Sequence, residues 1–140
     1  MAQTMWDDVS EGQEITLTEP TSSQRLVIWA AASGDFYQIH YDDNFAKGNN
    51  LPDIIVHGAL KGMLVGRLLD EFVGDKGWIE SWDVSYRGMD KAREDMTVWG
   101  KVTKKYQESG KNLVDLDVGV RQVNGTETTP GRATLSLPKK

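Results

Sequence analysis

Cysteine is absent from the 140 residues, which excludes disulfides, thiolate nucleophiles and cysteine-ligated metals. Positive charge is in the minority, with 16 Lys and Arg against 21 Asp and Glu and a net charge of −5. A nucleic-acid binder usually presents a basic face, and Lys139-Lys140 is too short a run to supply one. Long apolar runs are missing as well. The most apolar stretch, Ala59 to Val73, is broken by Lys61, Arg67, Asp70 and Glu71 and cannot span a bilayer. The stretch Met1-Ala2-Gln3-Thr4-Met5-Trp6-Asp7-Asp8 lacks the basic and apolar regions of a signal peptide. The expectation is a cytoplasmic protein with no membrane and no nucleic-acid partner. The two histidines, His40 and His57, show no metal-ligand spacing, so neither a metal nor a cofactor is expected.

What remains has the balance of a globular chain, 39% hydrophobic and 26% charged, which argues against disorder. The length fits one domain over residues 1–140, able to bury roughly two-thirds of its unfolded surface. No repeat, linker or low-complexity run divides it. Partial alternation around Val9, Ile15 and Leu17 predicts a first strand between Trp6 and Thr18. Pro20-Thr21-Ser22-Ser23 supplies capping hydroxyls for a helix carrying Leu26, Val27, Trp29, Ala30 and Ala31, with Gly34 suited to end it in the left-handed region. Asp42 or Asp43 caps a short turn through Phe45 and Ala46, and Ile54-Ile55-Val56 reads as a brief buried extended run.

A long helix is predicted from Gly58 to Val73, closed by Gly74 and apolar on most faces, hence buried. Gly58, Gly62 and Gly66 recur every fourth residue along it. Each mid-helix glycine costs about 1 kcal/mol relative to alanine, and close approach to a backbone is the expected compensation. From Trp78 onward the period becomes two, with strands predicted over 78–88, 96–106, 112–123 and 128–137 and Asn124-Gly125 as one of the turns between them. Helices followed by an antiparallel meander make the chain α+β, a curling sheet wrapped around one long helix.

The scarce proton-transfer chemistry lies at two helix boundaries. Asp35 follows Gly34, His40 comes five residues later, and His57 opens the long helix. Histidine exchanges a proton near neutral pH, and a carboxylate beside it can act as a base or hold the ring. For Asp35 the bland alternative is a turn residue bonded to nearby amides. For His57 it is a structural place at the helix entry.

Gly34-Asp35, Ile39-His40, Asp42 and the pair His57-Gly58 together resemble the signature of MaoC-like (R)-specific enoyl-CoA hydratases. Tyr37-Gln38 stands where that family usually carries Asn-Pro, and Arg87-Gly88-Met89-Asp90 replaces its proline-rich turn. The resemblance implies a hot-dog fold and hydration of 2-enoyl thioesters to (R)-3-hydroxyacyl thioesters, or the reverse. It implies Asp35 and His40 as the catalytic pair, holding water and handling the proton for C2. The Gly58 amide, at the positive end of the helix, is implied as the donor to the thioester oxygen. His57, Gly58, Ala59 and Arg87 are the expected substrate contacts. Arg87, Lys91 and Arg93 could meet coenzyme A phosphates, although a solvated charged turn explains them equally well.

The expected substrate is an acyl-CoA or acyl-carrier-protein thioester. A second wall for the acyl tunnel is expected from a homodimer, with a heterodimer as the alternative. Two rival functions stand beside this one. A hot-dog thioesterase would use Asp35 to activate water against the thioester carbonyl. A non-catalytic acyl-binding subunit of a heteromeric hydratase would not use the pair at all.

Overall fold

The computed structural model describes residues 2–140; Met1, part of the amino-terminal stretch read above, lies outside them. Three helices precede most of the sheet: α1 (Ser23–Ser33), α2 (Asp43–Gly48) and α3 (Gly58–Val73). Ser22 caps α1 through its side chain, which accepts from Arg25 N–H, and Asp42 caps α2 by accepting from Phe45 N–H. Gly34 ends α1 at φ 79°. The strands are β1 (Glu14–Glu19), β2 (Trp78–Val84), β3 (Met96–Glu108), β4 (Lys111–Arg121) and β5 (Gly131–Ser136). All pair antiparallel in one sheet ordered β1-β3-β4-β5-β2.

Strands β3, β4 and β5 form the expected meander, but β2 does not join it in sequence order. It crosses to the far side and pairs with β5, while β1 takes the place beside β3. β3 and β4 are joined by Ser109-Gly110, both at positive φ (50° and 75°), the geometry that matches the twist of a tight hairpin. The long helix packs against β1, β2, β3 and β4, so the sheet wraps it in the hot-dog manner. Leu60, Leu64, Val65, Leu68 and Leu69 of α3 share one core with Val98, Val102, Leu116, Val118 and Leu135 of the sheet. Among the described residues, no helix is long and apolar enough to cross a membrane.

Three sequence expectations need correction. Trp6–Asp8 is a 3-10 turn and not the start of β1; the Trp6 indole N–H bonds Leu113 O at 3.1 Å, which fixes the segment across the end of the sheet. The long helix is not buried all round, because Ala59, Met63, Arg67 and Asp70 are exposed. The glycine stripe faces side chains rather than a backbone. A Cβ at Gly58 would meet the Tyr86 ring at 3.3 Å, at Gly62 the Tyr86 hydroxyl at 2.6 Å, and at Gly66 the Trp82 ring at 3.1 Å.

Candidate active site

The loop after α1 turns on Asp35, whose Oδ1 accepts from Tyr37 N–H at 3.3 Å. This is the local turn bond that competes with any other use of the side chain, and it leaves Oδ2 free. A 3-10 turn over Gln38–His40 then carries the His40 ring inward. The His40 side chain is 9% exposed and that of Asp35 is 48% exposed. His40 Nδ1 lies 2.7 Å from Ile55 O. A carbonyl only accepts, so Nδ1 carries a proton, and in the neutral ring Nε2 presents a lone pair. That lone pair is 3.8 Å from Asp35 Oδ2, too far for a direct hydrogen bond. Two acceptors at this spacing can share the two hydrogens of one water molecule.

His57 supports this arrangement from beneath. Its ring stacks on His40 with centroids 3.8 Å apart and planes 18° from parallel, and its Nε2–H donates to the backbone oxygen of Asp35 at 3.2 Å. Nδ1 is buried without a partner. Burial, and then the neighbouring His40, push the His57 pKa below its ordinary value, favouring the neutral ring. Asp35, His40 and His57 offer possible ligand atoms within 4.8 Å of one another. Backbone carbonyls hold both rings, however, and their in-plane lone pairs lie in near-parallel planes. This suits proton transfer better than a shared ion.

Gly58 begins α3 and lines an open cavity of about 380 Å³ together with His40, Lys61, Tyr86, Arg87 and Met89. The described residues offer the Gly58 N–H no acceptor. Of the expected substrate contacts, Gly58 and Arg87 thus reach the cavity. Ala59 is exposed outside its lining, and His57, 1% exposed, sits behind His40. Of the three cations after β2, Lys91 pairs with Glu94 and Arg93 with Asp43 and Asp53. Arg87 has no acid partner among the described residues.

Sequence reasoning missed a buried polar group on the same cavity. Lys61, 2% exposed, donates to Asp90 Oδ2 at 2.7 Å and to Gly88 O at 2.9 Å. Thr128 Oγ1 donates to the same carboxylate oxygen at 2.7 Å. A signal existed for Lys61, which falls in the 60–61–64–65–68 stripe that faces the core. Asp90, in a loop without periodicity, gave none. A larger cleft of about 530 Å³ lies at the other end of α3, around Asp70, Glu71, Gly74 and Trp78. It holds no histidine, whereas His40 lines the smaller cavity.

The family model described as MaoC like domain matches residues 3–124. The chain is similar to the R-hydratase PhaJ1 from Pseudomonas aeruginosa in its unliganded form, with TM-score 0.87, 23% identity, 97% of this chain and 86% of that one covered. It is also similar in structure to one chain of the ChsH1-ChsH2 complex from Mycobacterium tuberculosis, with TM-score 0.78, 23% identity, 92% of this chain and 98% of that one covered. At these identities the likeness is one of fold. A curated relative, the fatty acid synthase beta subunit hexB of Dothistroma septosporum (strain NZE10 / CBS 128990), is 27% identical over 127 residues. Those residues are 81% of this chain, which spans only 6% of that relative's length.

Proposed function

The chain belongs to the MaoC-like domain family, and from that premise we propose that it hydrates 2-enoyl thioesters to (R)-3-hydroxyacyl thioesters or catalyses the reverse dehydration. The observation that carries this reading is the 3.8 Å spacing of His40 Nε2 and Asp35 Oδ2, two acceptors beside a cavity that Gly58 lines with an unpaired N–H. A water gives one hydrogen bond to each acceptor. Its oxygen bonds C3 while the C2–C3 π pair moves toward C2 and the thioester oxygen. The pair takes one proton from that water and a proton is returned to C2, so only water is consumed. Charge that develops on the thioester oxygen is met by the Gly58 N–H, a fixed donor that needs no reorganisation. His57 keeps the pair in register from behind, and Arg87 at the rim is the candidate contact for a phosphate of coenzyme A.

The acyl carrier is coenzyme A or an acyl carrier protein; the fatty acid synthase subunit among the relatives supports a thioester substrate in either form. An open cavity needs a further wall, and a second copy of the chain is proposed to supply it. The likeness to a two-chain complex keeps a related partner chain as the alternative.

The test is loss of enoyl absorbance from crotonyl-CoA. Asp35→Asn and His40→Ala should each lower kcat/KM by about 10²–10⁴-fold, the range for general acid–base groups, with circular dichroism unchanged. Thiol release without hydration would move the reading to a thioesterase. Activity of the assembly unaffected by either substitution would make the chain an acyl-binding subunit.

A further inference from the structure

Lys61 is one of the residues lining the cavity that holds His40, and stability does not account for its buried ammonium. A buried ion pair loses the hydration of both charges, and apolar residues of the same volume are often as stable or more so. Both side chains of the Lys61–Asp90 pair are 2% exposed. The pair is nevertheless held in position from several sides. Gly88 O and Asp90 Oδ2 take two of the ammonium hydrogens, and Thr128 Oγ1 steadies the carboxylate. Lysine has three such donors, and the described residues give the third no acceptor. The other carboxylate oxygen, Asp90 Oδ1, is also buried without a partner, so the network is incomplete on the protein side.

A buried donor left over beside a cavity discriminates strongly between the ligands that reach it. A ligand oxygen that reaches it gains a charge-assisted hydrogen bond, whereas a methylene in the same place keeps water away and returns nothing. Sites of this kind reject the analogue lacking the polar group far more sharply than apolar pockets distinguish one methylene from another.

We propose that Lys61 recognises an oxygen acceptor, a hydroxyl or ketone, on the acyl chain beyond the reacting C2–C3 pair. Asp90, Gly88 and Thr128 act as positioning groups for its ammonium. The proposal rests on the thioester reading above and narrows its substrate to oxygenated acyl groups.

The experiment measures binding rather than turnover, using the intact chain and saturated CoA thioesters that cannot be hydrated. Butyryl-CoA is titrated calorimetrically against its 4-hydroxy analogue, and hexanoyl-CoA against its 5-oxo and 6-hydroxy analogues. At least one oxygenated member should bind about tenfold more tightly than its parent. The preference should vanish in Lys61→Met combined with Asp90→Val, which replaces the pair by apolar groups, the fold being checked by thermal melting. Parent and oxygenated ligands binding equally to the unmodified chain would overturn the proposal, and that comparison holds even if the double variant does not fold. A preference that survives the double substitution would overturn it too, as would an equal loss across all thioesters, which would move the contact to the carrier arm. Selective binding of an oxygenated thioester by a chain that leaves every enoyl thioester unhydrated would sink the hydratase reading and retain this one.

Discussion

His57 is the residue whose role differs most from its appearance in sequence. As a lone histidine at a helix start it reads as a substrate contact or a structural residue, and the structure stacks it on His40 with its Nε2–H on Asp35 O. Its lowered pKa has a consequence for stability that can be worked out in sign. Below about pH 6.5, the ordinary histidine value, the unfolded chain takes up a proton that the folded chain resists. Stability is then lost as pH falls through that range and is unaffected by this group above it. Carboxylates with lowered values, such as Glu80 beside Lys111, act only at lower pH, below about 4.5. The melting temperature should therefore fall between about pH 6.5 and 5.5. His57→Gln, which keeps a donor for Asp35 O, should flatten that slope. An unchanged slope in the variant would show that His57 is not the group responsible. That Asp35 and His40 come together was legible at this scale because five positions of one loop separate them. Asp90 was not, because its partner lies 29 positions away and only the fold brings them together.

At the scale of the element, α3 was legible to its ends, since Gly58 and Gly74 flank a largely apolar stripe. What its glycines face was not, because nothing local says which strand returns over them. Tyr86 and Trp82 do so, and this yields a prediction with effects of different size in two backgrounds. Alanine in place of a mid-helix glycine is worth up to about 1 kcal/mol of helix propensity. In the unmodified chain the new Cβ at Gly62 would stand 2.6 Å from the Tyr86 hydroxyl, with the next ring atom at 3.6 Å. Tyr86 is 56% exposed and can swing its hydroxyl aside, so Gly62→Ala should raise the melting temperature by less than the helix propensity alone when Tyr86 is present. In a Tyr86→Phe background the clashing atom is gone, and the same substitution should raise it further. Identical shifts in both backgrounds would mean that Tyr86 does not set the approach to the helix. The outcome bears on the site, because Tyr86 also lines the cavity with His40 and Gly58.

For the whole molecule, periodicity identified four of the five strands near their final bounds but not their order, which depends on crossovers that leave no trace in spacing. Sending β2 to the edge beside β5 decides which surface remains unpartnered. The sheet has two edges. Along β1 the exposed residues are Glu14, Thr16 and Thr18, whereas β2 exposes Trp78, Ser81, Trp82 and Asp83, with Trp78 68% exposed. An unpaired strand already invites pairing through its free backbone groups unless charge, proline or a covering segment prevents it, and aromatic side chains are the type enriched where proteins meet. The β2 edge is therefore the proposed contact for a second copy, and pairing there would bring the partner to the side of the sheet from which Trp82 and Tyr86 reach α3. Sedimentation equilibrium should give twice the 15.6 kDa of one chain. Trp78→Glu, which places a charge on that edge without disturbing Trp82 against Gly66, should shift the mass toward one chain and lower hydration of crotonyl-CoA in parallel. A monomer at all concentrations with full activity would show that the cavity is completed without a second copy. A dimer indifferent to Trp78→Glu would move the interface away from β2.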